Sequence, residues 1–201
     1  MIRLYDYLPS GNGYKVRLLL TQLGVPFERV EMDILKGESR TPAFLAKNGN
    51  GRIPVVQLDG GEFLAESNAI LFYLADGTAF LPGGRLERAR VLQWMCFEQY
   101  SHEPNIATVR FWVTHDQLTP ERRAQLEQKR ALGNAALGVM EHHLAQRSFF
   151  VGERYSIADI ALYAYTHVAD EGGFDLAPYA SVRQWLQRVR DQPRHIPITR
   201  G

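Results

Sequence analysis

The sequence predicts an α/β domain followed by an all-α domain. Over the first 77 residues, short strand-like runs alternate with apolar runs at helical spacing, in the order β-α-β-α-β-β-α. Residues 78–85 contain one proline and two glycines and are typical of a linker. From residue 86 to residue 201 the apolar periodicity is helical throughout. We therefore predict domains at 1–77 and 86–201, joined by a linker at 78–85.

The N-terminal segment predicts a β-α-β unit. Residues 2–7 alternate between apolar and polar side chains, as a strand does. Apolar residues at helical spacing follow, and Gly24 with Pro26 ends that helix. Residues 27–32 form the next strand, which a helical crossover places parallel to the first. The apolar face of the helix comprises Val16, Leu19, Leu20 and Leu23.

A hairpin and a third helix complete the first domain. Thr41 and Pro42 are a good N-cap and first residue for a short helix that ends near residue 47. Asp59-Gly60 between two apolar runs is a strong hairpin signal. Pro54 cannot donate to a sheet, so we expect it to open an edge strand or to occupy a turn with a cis bond. A parallel pair, a later antiparallel pair and this proline describe a thioredoxin-like domain.

Four segments of the second domain predict helices. Residues 86–114 form one long segment, which Pro104 should kink or break. Thr119-Pro120 begins a helix that runs to about residue 146. Ser156 and Asp159 match a capping box at the start of the apolar run 157–168. We expect Ser181 to cap a last helix that ends near residue 190.

The composition is that of an ordinary globular protein. Of 201 residues, 45% are hydrophobic and 22% are charged, and the net charge is +1. This balance gives no support to a nucleic-acid or membrane partner. The chain passes from Met1 directly into a strand, and its only cysteine is Cys96, so we expect neither a secretory leader nor a disulfide framework. These features favour a cytoplasmic enzyme or binding protein.

Glu66 and Ser67 stand at the start of the predicted third helix. The first amides of a helix and a hydroxyl group suit a carboxylate. The neighbouring Glu66 carboxylate suits an ammonium group. A zwitterionic α-amino acid carries these two charges together.

Ile53-Pro54-Val55, followed by Glu66-Ser67, resembles the glutathione-binding half of cytosolic glutathione S-transferases. The resemblance extends over essentially the whole chain, because residues 155–161 are also similar to the capping motif of the family's helical domain. It implies that Ile53, before a cis Pro54, pairs its backbone with the cysteinyl part of glutathione. Glu66 and Ser67 would bind the γ-glutamyl end. Arg40 and Arg52 are candidate partners of the glycine carboxylate.

Glutathione chemistry needs a thiolate, which a side chain after the first strand must stabilise. A free thiol has a pKa of about 8.5, and lowering it by about two units takes roughly 2.7 kcal/mol. The resemblance to bacterial Ser- or Asn-loop members, similar to theta- and nu-like ones, makes Ser10 and Asn12 the candidates for contacting sulfur. Either residue could instead only cap the first helix, and Tyr5 or Tyr7 could replace them.

A small hydrophobic electrophile or a disulfide is the expected second substrate, with glutathione as co-substrate and no metal. We expect aromatic and basic side chains to line its site. Two alternatives stay open. One is a nu-like glutathione-dependent disulfide reductase, and the other is a non-catalytic binding or regulatory protein of the same fold. The resemblance also implies a homodimer. The candidate substrate residues are Tyr7, His102, Arg110 and Phe111, with Tyr100 and Trp112 beside them.

Overall fold

The computed structural model describes residues 1–201 and has two compact units. The first comprises Met1–Thr78 together with Pro193–Gly201, and the second comprises Ala79–Gln192. The first unit is a thioredoxin-like α/β fold and the second is helical, so the predicted fold class is confirmed. None of the helices is both long enough and apolar enough to cross a membrane.

A four-stranded mixed sheet organises the first unit. Its order is β2-β1-β3-β4, with β1 at Ile2–Asp6, β2 at Phe27–Glu31, β3 at Val55–Gln57 and β4 at Phe63–Ala65. The pair β1–β2 is parallel, as the β-α-β pattern predicts. The pairs β1–β3 and β3–β4 are antiparallel.

Three helices cover the two faces of this sheet. They are α1 (Gly11–Leu23), α2 (Pro42–Leu45) and α3 (Ser67–Ala75). Two 3₁₀ turns, Ile34–Lys36 and Glu38–Arg40, connect β2 to α2.

The pleat of the sheet divides the core into two clusters, because successive side chains of a strand point to opposite faces. One cluster contains residues of α1 and α3, and the other contains a residue of α2. The first comprises Leu4, Val16, Leu20, Val56 and Ile70, and the second comprises Met32, Phe44 and Val55.

The second unit contains five α-helices. Two of them are joined by the π-helical turn Glu98–His102. The helices are α4 (Arg85–Phe97), α5 (Glu103–Thr114), α6 (Pro120–Leu144), α7 (Ile157–Thr166) and α8 (Ala180–Arg190).

The long helical segment continues past Pro104 and contains the π-helical turn directly before it. A proline removes the hydrogen bond to the carbonyl four residues earlier, and its ring crowds that carbonyl. For Pro104 the affected carbonyl belongs to Tyr100, inside the π-helical turn. The wider turn accommodates the ring, and Pro104 itself lies in the first turn of α5, where no donor is needed.

The predicted caps of α2, α6 and α7 are confirmed, and the predicted cap of α8 is wrong. The capping box of Ser156 and Asp159 opens α7 with both reciprocal bonds present. Ser181, in contrast, does not cap α8, because that helix begins at Ala180. The amides of Ser181 and Val182 donate to the carboxylate of Glu141 on α6, at 3.0 and 2.9 Å. A side chain from another helix thus satisfies the N-terminus of α8.

The terminal segment Pro193–Gly201 belongs to the first unit and not to the predicted helical domain 86–201. The hydroxyl of Tyr14 on α1 donates to the carbonyl of Ile196 at 2.7 Å. Arg17, one turn further along α1, donates through Nη1 to the carbonyl of Ile198 at 3.0 Å. Two side chains of α1 therefore hold the end of the chain through its backbone.

Candidate functional site

The loop between β1 and α1 ends in a helix cap. Ser10 has extended backbone angles, and its Oγ accepts from the amide of Gly13 at 3.3 Å. The amide of Ser10 donates to the carbonyl of Tyr7 at 2.8 Å, which closes the turn. The capping role of Ser10 is confirmed. The hydroxyl proton is not used by the cap, so contact of Ser10 with sulfur stays a prediction.

A buried ion pair lies beneath this loop. Asp6 on β1 and Arg17 on α1 are both fully buried, and Nε of Arg17 is 2.8 Å from Oδ2 of Asp6. Burial raises the pKa of Asp6 to about 6, although the Arg17 guanidinium opposes this. A Cβ on Gly13 would lie 1.5 Å from Oδ1 of Asp6, so only glycine fits there. The first turn of α1 can approach the sheet because Gly13 has no side chain.

Arg17 connects this ion pair to the loop that follows β1. Its Nη2 donates to the carbonyl of Leu8 at 2.6 Å, and its Nη1 donates to the terminal segment. The pair was missed from the sequence. A signal existed, because Asp6 follows Leu4 by two residues and therefore faces the same core side of β1.

Asn12 and Ser67 meet in the structure. The hydroxyl of Ser67, at the start of α3, donates to Oδ1 of Asn12 at 3.3 Å. Lys15 on α1 donates from Nζ to the same hydroxyl oxygen, also at 3.3 Å. Lys15 is fully buried and Ser67 is 5% exposed. A candidate thiol-binding residue and a candidate γ-glutamyl-binding residue are therefore direct neighbours, with a lysine that sequence reasoning missed.

Glu66 has an unusual backbone conformation. Its φ is 68° and its ψ is 113°, a region that costs a non-glycine residue about 1–3 kcal/mol. Its side chain is exposed and makes no capping bond to α3, whereas its carbonyl accepts from the amide of Ile70 at 2.9 Å. The carboxylate is thus held beside the N-terminus of α3 without satisfying the amides there.

The Ile53–Pro54 peptide bond is cis, as predicted. Pro54 is buried and comes directly before β3. Because β3 lies between β1 and β4, the alternative that Pro54 opens an edge strand is wrong. The proline lies in the irregular segment directly before the strand, where it interrupts no ladder bond.

Comparison with known proteins gives the family. Residues 1–76 match the family described as "Glutathione S-transferase, N-terminal domain", and residues 94–193 match "Glutathione S-transferase, C-terminal domain". The chain belongs to the glutathione S-transferase family.

Relatives across this family resemble the chain over most of its length. The disulfide-bond oxidoreductase YfcG of Escherichia coli K12 is 34% identical over 203 aligned positions, which cover 96% of this chain and 92% of YfcG. A maleylacetoacetate isomerase of Rhizobium meliloti is also 34% identical, with 87% of this chain and 84% of the isomerase covered. The crystal structure of a glutathione S-transferase from Pseudomonas fluorescens superposes with a TM-score of 0.96 at 54% identity, covering 98% of each chain.

The two arginines proposed for the glycine end of glutathione both bond to the turn at residues 48–51. Arg40 donates from Nη1 to the carbonyl of Asn50 at 2.8 Å, so its guanidinium lies against the turn. Arg52 is exposed, and its carbonyl accepts from Nδ2 of Asn48 at 2.8 Å. Their roles in binding stay predictions.

The alternative tyrosines differ in their surroundings. The ring of Tyr5 packs edge-on against Phe44 with 6.1 Å between the centroids, on the face of the sheet that α2 covers. Tyr7 is half-buried in the turn after β1. Of the two, Tyr7 is the closer in sequence and structure to the Ser10 cap.

The predicted substrate residues of the helical unit make contacts within that unit. His102 is fully buried, with Nε2 2.8 Å from Oγ1 of Thr166. Arg110 pairs with Glu171, with 2.7 Å between Nε and Oε2. Phe111 stacks on its helical neighbour His115. These contacts give the three side chains structural roles, and contact with a substrate stays a prediction for each.

Proposed function

We propose that the chain binds glutathione on its first unit and activates it as a thiolate for transfer to a hydrophobic electrophile. The observation that carries this proposal is the 3.3 Å hydrogen bond between Ser67 and Asn12. It joins the residue that resembles the family's γ-glutamyl site to the loop that must face the sulfur. A tripeptide bound at both positions would have its thiol at the N-terminus of α1.

The γ-glutamyl end would bind between Glu66 and the first turn of α3. The exposed Glu66 carboxylate suits its ammonium group, and the Ser67 hydroxyl and helix amides suit its carboxylate. By the family resemblance, the backbone of Ile53 would pair with the cysteinyl unit. Arg40 and Arg52 would then lie toward the glycine carboxylate.

Stabilising the thiolate is the chemical task of the α1 N-terminus. Hydrogen bonds to an anion, together with helix amides aimed at it, are large enough for a two-unit reduction in pKa. Asn12 is the favoured donor. Its Oδ1 accepts from Ser67, so its amide NH₂ is directed away from Ser67. Ser10 is the second donor, since its Oγ accepts from Gly13 and its proton can point toward a sulfur.

Disulfide reduction is the second candidate activity, and the similarity to a relative named disulfide-bond oxidoreductase favours it. The loop has Ser10-Gly11-Asn12 where a cysteine would be needed for an enzymic thiol. Bound glutathione would therefore supply the attacking sulfur and form a mixed disulfide, and one substrate thiolate would leave. A second glutathione would attack that mixed disulfide, giving glutathione disulfide and the other thiol.

Paired assays distinguish these functions. A transferase conjugates glutathione to a chloro-nitrobenzene, and the chloride release and conjugate absorbance measure the rate. A reductase consumes 2-hydroxyethyl disulfide with formation of glutathione disulfide. Binding of glutathione without either reaction would favour the non-catalytic alternative. Sedimentation velocity tests the homodimer that the family resemblance implies.

A further inference from the structure

Lys15 is a fully buried cation among the residues of the candidate glutathione site. It is the fifth residue of α1, and its Nζ lies 3.3 Å from Oγ of Ser67 on α3. Removing an ammonium group from water costs several kcal/mol unless it is well bonded. An apolar side chain would pack between the two helices without this cost. A lysine at this position therefore indicates a role other than packing.

The chemistry of an ammonium group fixes the direction of the hydrogen bonds around it. Nζ has three donors and no acceptor, so Oγ of Ser67 must accept from it. The hydroxyl proton of Ser67 is then directed to another acceptor, and Oδ1 of Asn12 lies 3.3 Å away. The order of donation therefore runs from Lys15 to Ser67 and from Ser67 to Asn12.

This order also determines which end of the Asn12 amide faces Ser67. The oxygen and nitrogen of an amide differ little in shape, and only the bonding partners select the orientation. A hydroxyl that must donate selects the oxygen. The NH₂ group of Asn12 consequently points away from Ser67, and it is a donor, which a thiolate requires.

We infer that Lys15 is a positioning residue for thiol activation, acting through Ser67 to hold the Asn12 amide with its NH₂ toward the sulfur of glutathione. The inference rests on the proposed glutathione function. Lys15 is not among the site residues that the family resemblance implies, and the resemblance does not imply this order of donation. In this arrangement Ser67 takes part both in binding the γ-glutamyl carboxylate and in ionising the thiol.

The test measures the pKa of enzyme-bound glutathione by titrating the ultraviolet absorbance of its thiolate. K15M removes the charge at similar length, and we expect the bound thiol pKa to rise by about one unit. K15Q, whose amide can both donate and accept, should show a similar rise. K15R retains a cation that only donates and should restore most of the lowered pKa. K36M removes the exposed Lys36 of the same unit and should leave it unchanged.

A double-mutant cycle separates positioning from simple charge attraction. If Lys15 acts through Asn12, K15M should shift the bound thiol pKa in the wild-type background but by less than about 0.3 unit in an N12A background. A full shift in both backgrounds would overturn the inference, since the lysine would then act on the sulfur by charge alone. An unchanged pKa in both K15M and K15Q would overturn it as well.

Calorimetry on the same proteins keeps the two proposals distinguishable. If wild type binds no glutathione, the proposed function fails, and the inference about Lys15 fails with it. If wild type binds glutathione and lowers its thiol pKa while the Lys15 variants do the same, only the inference is lost. Circular dichroism of each variant establishes that the fold is intact before titration.

Discussion

Asp159 is a buried side chain whose loss should strongly destabilise the helical unit. It is fully buried, and four groups donate to its carboxylate. Oδ1 accepts from Nε1 of Trp185 at 2.9 Å and from the amide of Phe150 at 3.1 Å. Oδ2 accepts from the amide and the hydroxyl of Ser156, at 2.9 and 3.1 Å. The residue thus joins the start of α7 to α8 and to the segment before α7.

The structure gives D159A a larger effect than the loss of a helix cap. A cap alone is worth about 1 kcal/mol. In D159A the two amides and the indole N–H remain buried without their acceptor, and each such donor costs about 1–3 kcal/mol. We therefore expect the free energy of unfolding to fall by at least about 3 kcal/mol. S156A, which keeps the Asp159 carboxylate, should cost only about 1 kcal/mol.

Urea unfolding followed by tryptophan fluorescence measures this effect specifically, because Trp94, Trp112 and Trp185 all belong to the second unit. D170A, which removes an exposed carboxylate, is the control and should change stability by less than about 0.5 kcal/mol. If D159A does not fold, D159N replaces it in the comparison with S156A. Equal costs for D159A and S156A would refute the account, since Asp159 would then be no more than a cap.

Three further predictions concern the first unit. The bound thiol pKa in the pH–rate profile should rise by about one unit or more in N12A or S10A, and no rise in either would transfer the role to a tyrosine. Between pH 3.8 and about 6, folded Asp6 holds a proton that the unfolded chain has released. The unfolding free energy of wild type minus that of D6N should therefore fall as pH rises, by at most about 1.4 kcal/mol per pH unit. A difference that stays flat or rises with pH contradicts the raised pKa of Asp6. G13A, whose Cβ would lie 1.5 Å from an Asp6 oxygen, should lower stability by about 1–3 kcal/mol in thermal melts, and an unchanged melting temperature would exclude the close approach.

Features encoded in neighbouring residues were predictable from the sequence. The alternation in β1, the helical spacing in α1 and the Asp59-Gly60 turn each depend on side chains within one element. The capping box of α7 is equally local, since its two members are three residues apart. Glu66-Ser67 was recognisable because a charge and a hydroxyl stand together at a helix start.

Features that join distant parts of the chain were not predictable. Lys15 and Ser67 are separated by 52 positions, and Arg17 reaches the carbonyl of Ile198 across 181 positions. No local pattern shows that a lysine inside an apolar helix faces another helix rather than solvent. The same limit applies to α8, whose amides are satisfied by Glu141 forty residues earlier. The π-helical turn depends on how the backbone relaxes around the Pro104 ring, which residue identity alone does not specify.

Isothermal titration of glutathione into wild type and into the double variant E66Q/S67A tests the central claim most directly. We expect a saturable heat for wild type, with one site per chain. We expect an affinity about 10- to 100-fold weaker in the double variant, because charge-assisted hydrogen bonds are worth about 1.5–3 kcal/mol. The absence of heat in wild type at millimolar glutathione, or equal affinities in the two proteins, would contradict the claim that glutathione binds at Glu66 and Ser67.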